Sequence, residues 1–499
     1  MPKFKKIEII FLAVLITTAI FFRFWRIRDY VTFLGDEGRD MIVMRNIFTQ
    51  HHLPFLGPTA SVGGFYLGPI YYWMAAPFLL LWNFDPVGPS YMIAIFGVLT
   101  VVLLFKLLKE SVGFWSAFLA SFLYSTAPLI IRYSRTSWNP NPLPFFSLLL
   151  IYFLYLGLSK KQLKYFIGAG LCFGVAIQLH YLAAILLLIS TAIIFLNSSF
   201  RSWPKIILAS FAGFLITFSP FLFFEVRHNF PNTKTILEFV TRGSTVGYQH
   251  TNIFDKIKNA ADRFLEFQTK IKTPIIRNSI FWLISALGVF TFLKNSKDSG
   301  KNLIISIGLI WFLGGIIGIS LYQGAVYDYY YEFMYPAPFL LLGLIFGQLF
   351  LNKIGKILAI LFTILTVIFF SFNGFYRTPP NKLINQTENI VDFVISKSNG
   401  KPYNFALISE HNSDQAYRYF LAIKNPKPTE LADNITDQLL IICEEKKCAP
   451  LGHPLWEIAA FGRGEISGEW NLEKYGIKVF RLTHWAGAPN PAGHPATKQ

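Results

Sequence analysis

Charged side chains are scarce in this sequence. Of its 499 residues, 15% are Asp, Glu, Lys or Arg, whereas 53% are hydrophobic. A soluble domain usually carries about a quarter charged residues. The shortage of charge argues against a soluble protein, and the long apolar runs between the charged clusters indicate a polytopic membrane protein.

Nucleotide-binding loops are also absent from the sequence. It contains neither a Walker loop nor a G-x-G-x-x-G loop, so nothing supports an ATP or nucleotide-sugar site. The net charge of +17 would fit a nucleic-acid-binding protein. The Lys and Arg residues, however, fall in short clusters between apolar runs, as the positive-inside rule requires. We therefore expect no nucleic-acid partner.

Cysteine is rare as well, with three residues in the chain. Cys443 and Cys448 flank a short charged turn, and they can pair if this region lies outside the cytoplasm. The histidine pair His51–His52 has no accompanying ligand spacing. The sequence therefore predicts no metal site.

Eleven apolar runs approach the roughly 20 residues that cross a bilayer. The first run lacks a signal-peptide cleavage site and follows a Lys-rich N-terminus, which we place in the cytoplasm. Every second connecting turn is then basic, and the odd number of spans puts the C-terminal region outside. The predicted spans are 7–27, 89–108, 112–131, 143–158, 164–179, 181–197, 204–224, 277–294, 302–321, 333–351 and 354–373.

The alternation of basic turns also decides how two doubtful apolar regions cross or border the membrane. Counting residues 65–82 as a span would put Lys106 and Lys109 outside, so we predict juxtamembrane helices in the first outer loop. Residues 164–197 are too long for one span and have basic ends. Two short helices that meet near His180 fit best, and they would hold this side chain below the outer membrane surface.

The composition changes after Tyr376. The segments NFALIS and QLLIICEE resemble buried strands, and TENIVDFVISKSN and SDQAYRYFLAIKN resemble amphipathic helices. We predict a transmembrane domain over 1–375, an extracytoplasmic α/β domain over 376–484 and a disordered tail over 485–499. The predicted fold class is a polytopic all-α membrane protein with a small C-terminal α/β domain.

Ionisable residues are nearly absent from the middles of the spans. A transporter would be expected to place them at the midplane between repeats, and no internal repeat is evident. In this sequence the ionisable residues collect at one face of the membrane instead. This placement favours a site at the membrane–water boundary that takes a lipid-borne substrate. The residues at the predicted outer ends are Arg23, Arg26, Asp36, Glu37, Arg39, Arg132, Arg135, His180, Glu225, Arg227, His228, Asp328 and Glu332.

The stretch FLGDEGRDMI follows the first span and opens an amphipathic helix predicted over 36–50. Asp36 and Arg39 are three residues apart and share a face of this helix. A carboxylate beside a cation stays ionised, so it can take a proton from an acceptor hydroxyl while the Arg binds a leaving phosphate. The structural alternative makes Asp36 the N-cap and Glu37 a first-turn acid.

The DEGR motif, the topology and the outer C-terminal domain resemble the GT-C glycosyltransferases, especially the protein O-mannosyltransferase and aminoarabinose-transferase branch. The resemblance implies Asp36 as catalytic base beside Glu37, with Arg39 near the lipid phosphate. The segment FYLGPIYYW is similar to an aromatic and Pro-rich stretch of that branch. Leu67 stands where many members have a Lys, so another cation must bind the phosphate.

Further phosphate ligands are predicted at two outer turns. Arg132 or Arg135 either contacts phosphate or anchors the helix end at the lipid headgroups. Arg227 and His228 lie in a stretch that resembles bacterial GT-C-like chains and are candidates for binding phosphate oxygens. The alternative there is a structural ion pair between Glu225 and Arg227.

Sugar- or lipid-binding candidates are polar or aromatic. Asn139 stands where the family often has an acid, and it can hydrogen-bond sugar hydroxyls without acting as a base. His180 is either a ligand or a satisfied polar group between helices, and the tyrosine-rich segment 322–338 is either an interfacial belt or a stacking wall. The proposed substrate-binding residues are Tyr66, Asn139, His180, Tyr181, Tyr330 and Tyr331.

The resemblance implies a glycosyltransferase of the bacterial plasma membrane. It would transfer a sugar from a polyprenyl-phosphate donor to a hydroxyl of a lipid, glycan or protein, with inversion if one base acts in a direct displacement. A non-enzymatic flippase and an oligosaccharide ligase with a diphosphate carrier remain alternatives. No cofactor is predicted, although the sequence leaves open a divalent cation between Asp36 or Glu37 and His228.

Overall fold

The structure is a computed structural model, and it describes residues 5–60, 63–242, 252–295, 299–322, 324–487, 489 and 491–496. Part of the predicted tail 485–499 and the basic turn residue Lys297 lie outside the described residues. The chain divides into two compact units, one of Met1–Ile27, Leu53–Leu81 and Gly88–Pro379, the other of Arg28–His52, Trp82–Val87 and Pro380–Gln499.

Helices form almost all of the first unit. Each of the eleven predicted spans overlaps at least one of them. The helices before residue 373 are α1 (Lys6–Phe24), α2 (Ile27–Tyr30), α3 (Gly35–Thr49), α4 (Ile70–Leu81), α5 (Gly88–Val112), α6 (Phe114–Thr126), α7 (Pro128–Tyr133), α8 (Leu143–Lys160), α9 (Leu163–Leu179), α10 (Ile185–Asn197), α11 (Trp203–Arg227), α12 (Pro231–Arg242), α13 (Ile253–Thr269), α14 (Pro274–Lys294), α15 (Ser299–Ser320), α16 (Ala337–Leu349) and α17 (Lys353–Phe372).

Among the described residues, seven helices are long and apolar enough to cross a membrane. The number is eight if the 3₁₀ segment Asp328–Met334 and α16, which meet at a 48° bend, form one span. Several predicted spans are built from shorter helices. One is 112–131, where the chain breaks between α6 and α7 at Pro128. The number of membrane crossings therefore stays a prediction.

The helix pair α9 and α11 is packed through glycines. A Cβ atom on Gly170 would lie 1.8 Å from the Ser210 carbonyl oxygen, and one on Gly213 would lie 2.0 Å from the Ile167 carbonyl oxygen. Only glycine permits such close backbone approach. At the C-terminal end of α9 the chain turns at His180 into the 3₁₀ segment Tyr181–Ala184, as two short helices require.

The second unit contains a four-stranded sheet in the order β1-β2-β4-β3. Its strands are β1 (Asn404–Ile408), β2 (Gln438–Cys443), β3 (Gly464–Leu472) and β4 (Ile477–His484), and its helices after residue 379 are α18 (Leu383–Lys397), α19 (Gln415–Ile423) and α20 (Trp456–Phe461). β1 and β2 are parallel, whereas β4 is antiparallel to both of its neighbours. The predicted segments NFALIS and QLLIICEE supply the two fully buried strands, β1 and β2.

The helix α3 also belongs to this second unit, where it packs against α19. A Cβ atom on Gly38 would lie 2.3 Å from the Ala416 backbone nitrogen, so the two helices touch through backbone. The aromatic ring of Phe33, just before α3, packs edge-on against Tyr419 and Phe420 of α19. The first loop of the chain is thus held by its C-terminal region.

The glycine contact between α9 and α11 can be tested with Gly213→Ala. The added methyl group collides with backbone at Ile167, and overpacking of this kind costs about 1–3 kcal/mol. We expect a lower apparent melting temperature of the detergent-solubilised protein. Gly308→Ala in α15 is the matched control, because its nearest neighbour is a flexible Leu344 methyl group at 3.3 Å. Equal melting temperatures for the two variants would contradict the close packing.

Candidate active site

Asp36 is the second residue of α3, which begins one residue earlier than predicted. Its carboxylate is 62% exposed and accepts a hydrogen bond from Arg39 Nη1 at 2.9 Å. The N-cap position belongs to Leu34, so the alternative in which Asp36 is the N-cap is wrong. The exposed carboxylate thus carries no helix-capping contact and is accessible to an acceptor.

Glu37 supplies the capping contact instead. Its Oε2 accepts a hydrogen bond from the Leu34 N–H at 3.0 Å, as an acid three residues into a helix can do. The side chain is only 7% exposed. Burial raises the pKa of the Glu37 carboxyl to about 7, and the nearby carboxylates of Asp40 and Asp36 raise the pKa further against the lowering effect of the backbone hydrogen bonds.

Arg39 lies between two carboxylates. Nη1 reaches Asp36, while Nε and Nη2 donate to Asp40 Oδ1 at 3.1 Å and 2.9 Å. Asp40 is fully buried. Arg39 therefore orients Asp36 and would bind phosphate only in competition with Asp40. Asp40 was missed because adjacent helix residues usually diverge.

Glu225, at the end of α11, has a different role from the predicted ion pair with Arg227. Its two carboxylate oxygens accept four hydrogen bonds of 2.7–3.2 Å from the backbone and side chains of Asn232 and Thr233. These residues open α12, so Glu225 caps that helix. The expected pair with Arg227 is not formed among the described residues. Arg227 and the neighbouring His228 are both exposed, and His228 stacks on Phe224.

The two arginines after α6 differ in their surroundings. Arg132 is 67% exposed, and its Nη1 lies 3.9 Å from Asp328 Oδ2, a loose surface pair. Arg135 is buried and donates to the carbonyl oxygens of Phe22 and Trp25 at 2.5 Å and 2.8 Å, at the end of α1. Arg135 is therefore a structural anchor, whereas Arg132 remains accessible to a ligand.

His180 and the tyrosine-rich segment form one aromatic cluster. The His180 ring stacks on Tyr181 at 4.6 Å and contacts Tyr330 at 5.2 Å, measured between centroids. Tyr181 contacts Tyr330 as well, and its hydroxyl lies 3.4 Å from the Tyr322 hydroxyl. His180 Nδ1 accepts a hydrogen bond from the Leu182 N–H, so the ring is held. The structure thus brings His180 and Tyr181 into contact with Tyr330, a candidate about 150 residues further along the sequence.

Three other candidates occupy different surroundings. Tyr331 is fully buried, and its hydroxyl donates to the Ala260 carbonyl oxygen at 2.9 Å. These contacts are typical of a side chain that packs in the core, whereas the sequence led us to expect that Tyr331 binds substrate. Asn139 is buried too and donates to the Leu179 carbonyl oxygen at 2.7 Å. Tyr66 is exposed, with its backbone N–H bound to the Asn232 side chain.

Metal ligands do not cluster in the described part of the chain. No group of three or more His, Cys, Asp or Glu side chains there could hold a metal ion. Cys443 and Cys448 are joined in a disulfide at the end of β2, and Cys172 is a buried free thiol. The pairing that the sequence left open is therefore present in the structure.

The fold of this chain is similar to that of two solved proteins. ArnT from Cupriavidus metallidurans, bound to undecaprenyl phosphate, matches with a TM-score of 0.61 over 95% of this chain and 97% of that chain, at 11% sequence identity. The archaeal oligosaccharyltransferase AglB from Archaeoglobus fulgidus, in complex with an inhibitory peptide and a dolichol-phosphate, matches with a TM-score of 0.53 over 87% of this chain and 69% of its own, at 12% identity.

A family model described as dolichyl-phosphate-mannose-protein mannosyltransferase matches residues 67–224. No curated protein matches the sequence. The matched stretch starts after α3 and runs from just before α4 into α11. The resemblance to the GT-C superfamily and the predicted fold class, a polytopic helical membrane protein with a small C-terminal sheet, are confirmed.

The buried Glu37 carboxyl makes stability depend on pH. Its pKa of about 7 in the folded protein exceeds the usual value of 4.5, so the folded state holds a proton that the unfolded state releases. Stability should fall as pH rises from about 4.5 to about 7, by roughly 3 kcal/mol in total. Glu37→Gln should remove this contribution, as measured by the difference in melting temperature between wild type and variant across that range.

The control is Glu8→Gln. Glu8 makes the same backbone contact, to Lys5 at the start of α1, but is only partly buried. Glu8→Gln therefore makes the same side-chain change and removes the same kind of backbone contact without altering a fully buried carboxyl. Parallel pH profiles for wild type and Glu37→Gln would show that burial does not hold the proton.

Proposed function

We propose that this chain is a membrane glycosyltransferase that moves a sugar from a polyprenyl-phosphate-linked donor to an acceptor hydroxyl on a lipid, glycan or protein. The fold supports the general class, and both structural relatives named above contain a polyprenyl phosphate, undecaprenyl or dolichol. The match to a mannosyltransferase family model supports a sugar as the transferred group, and the proposal covers both hexoses and pentoses. Reaction at the outer face is part of the proposal.

The observation that carries the proposal is the exposed Asp36 carboxylate beside Arg39. Arg39 orients this carboxylate, whose exposed oxygens are accessible to an acceptor hydroxyl. In the proposed reaction Asp36 takes the proton of the acceptor hydroxyl, and the acceptor oxygen bonds to the anomeric carbon. The bond from that carbon to the phosphate oxygen breaks, and the phosphate leaves with the electron pair. A single displacement of this kind inverts the anomeric carbon.

The leaving phosphate needs cations that are not already neutralised. Arg227 fits best, because it is exposed and has no acidic partner within salt-bridge distance among the described residues. His228 and Arg132 are accessible candidates for the same role, and Arg39 serves mainly to orient Asp36. Fixed cations stabilise the charge that develops on the phosphate as the bond breaks.

The aromatic cluster of His180, Tyr181 and Tyr330 is proposed to stack against the sugar or the first part of the carrier. Aromatic faces bind apolar sugar surfaces, and polar edges hydrogen-bond hydroxyl groups. The exposed Tyr66 is a further candidate, and Asn139 acts by holding the end of α9. The disulfide between Cys443 and Cys448 supports an extracytoplasmic C-terminal region, since disulfides persist in oxidising compartments.

Asp36→Asn tests the proposed base. The amide keeps the shape of the side chain but cannot take a proton, so turnover should drop by about 100-fold or more. The assay uses purified protein with a radiolabelled polyprenyl-phosphate sugar, following release of polyprenyl phosphate and labelling of an acceptor. Glu465→Gln, at an exposed site on β3, should behave as wild type.

Two outcomes would contradict the proposal. Unchanged turnover in Asp36→Asn would remove this residue as the base. Movement of intact lipid-linked sugar across a vesicle membrane, without any cleavage by the wild-type protein, would identify a flippase instead of an enzyme.

Arg227→Ala tests the proposed phosphate contact. Loss of a charge-assisted hydrogen bond of about 1.5–3 kcal/mol should raise the KM for the donor by roughly tenfold to a hundredfold. The control is Arg201→Ala, an exposed arginine just before the opposite end of α11, which should leave the KM unchanged. Equal KM values for the two variants would exclude Arg227 from donor binding.

A further inference from the structure

A polar cluster lies where the two parallel strands of the second unit end. β1 ends at Ile408 and β2 at Cys443, so Ser409 and Glu444 are the next residues at neighbouring positions. Ser409 Oγ donates to Glu444 Oε2 at 2.8 Å. In α/β domains the carboxyl ends of parallel strands are the usual place for ligands. Here that edge holds side chains connected to α3.

Glu444 is the centre of this cluster. Besides Ser409, its carboxylate accepts hydrogen bonds from the Tyr417 hydroxyl at 2.7 Å and from Asn412 Nδ2 at 3.3 Å. Its own backbone N–H donates to the Ile408 carbonyl oxygen at 3.0 Å, and the preceding Cys443 is disulfide-bonded. Both the backbone and the carboxylate of Glu444 are therefore fixed.

Asn412 connects Glu444 to the helix that carries Asp36. Because its Nδ2 faces the Glu444 carboxylate, which can only accept, its Oδ1 is the atom left for a donor. That oxygen accepts a hydrogen bond from the Gly35 N–H at 3.0 Å. Gly35 is the first residue of α3 and precedes Asp36 directly. Glu444 thus sets the orientation of the Asn412 amide. The start of α3 depends on this orientation through the hydrogen bond from the Gly35 N–H.

The glycines of the DEGR helix leave α3 little room to move. A Cβ atom on Gly35 would lie 2.0 Å from Ser413 Oγ, and one on Gly38 would lie 2.3 Å from the Ala416 nitrogen. The two glycines flank Asp36 and Glu37 in the sequence. The position of the Asp36 carboxylate is therefore determined by the segment 412–416 on which these glycines rest.

We propose that Asn412 and Glu444 are positioning residues for sugar transfer. Glu444 orients the Asn412 amide, and Asn412 fixes the start of the helix so that Asp36 meets the acceptor hydroxyl. The inference rests on the proposed function, because it assumes that Asp36 acts as the base. Displacement of a reacting group by about 1 Å can lower a rate on the order of 100-fold.

Exchanging the charge between the two residues tests this inference. Asn412→Asp keeps the oxygen that Gly35 needs but sets two carboxylates against each other. Glu444→Gln keeps the acceptor oxygen and should have a mild effect. Combined with Asn412→Asp, it supplies an amide donor to the new carboxylate and restores an amide-to-carboxylate hydrogen bond with the two roles exchanged.

For Asn412→Asp we expect kcat to fall by about tenfold or more while the KM for the donor stays within about twofold, because Asp36 acts on the acceptor. The double variant should return to within about threefold of wild-type kcat. Glu445→Gln is the matched control: it makes the same change one residue further along the turn, where the side chain makes no hydrogen bond or ion pair with the described residues. Its kcat should equal that of wild type.

Hydrogen exchange of the peptide covering residues 33–41 supplies a readout that does not depend on activity. Asn412→Asp should speed exchange at the start of α3, and the double variant should restore protection. Wild-type kcat and protection in Asn412→Asp would overturn the inference, as would a folded double variant no better than the single one. If Asp36→Asn retains full activity while exchange changes as expected, the proposed base is wrong although the contact exists.

Discussion

The cost of placing charge near hydrocarbon is the constraint on which the rest of this structure depends. In the first unit, some of the buried ionisable groups are compensated by several hydrogen bonds. Arg135 is matched by two carbonyl oxygens at the end of α1, and Glu225 by four donors at the start of α12. Arg227 stands apart because it is exposed and lacks an acidic partner among the described residues. Exposed cations of this kind are suited to an anionic lipid headgroup.

The proposed base, Asp36, is held in place by the second unit instead. Asp36 lies on a short helix that packs in the second unit against α19, and the helix starts at a hydrogen bond from Gly35 to Asn412. The C-terminal region therefore has a structural reason to matter for the proposed chemistry. The glycines of the DEGR stretch are explained by close backbone contact with Ser413 and Ala416.

Local pattern predicted much of this architecture. Each predicted span overlaps a helix, the first-loop helix was placed to within one residue, and the buried strands β1 and β2 were recognised by their continuous apolar residues. The contact of Asn412 with α3 could not be predicted, because periodicity carries no information about partners hundreds of residues away. Tyr330 and Tyr331 were grouped together, although adjacent residues of the 3₁₀ segment have different surroundings. The capping role of Glu225 depends on residues of the next helix and was missed for the same reason.

The central claim is that one carboxylate, Asp36, acts as base in a direct displacement at the anomeric carbon. The most direct measurement is the anomeric configuration of the first product, determined by NMR with a donor of known configuration and purified protein. A single displacement predicts complete inversion. Retention of configuration would require two displacements and a second nucleophile, and it would contradict the assignment of Asp36 as the single base.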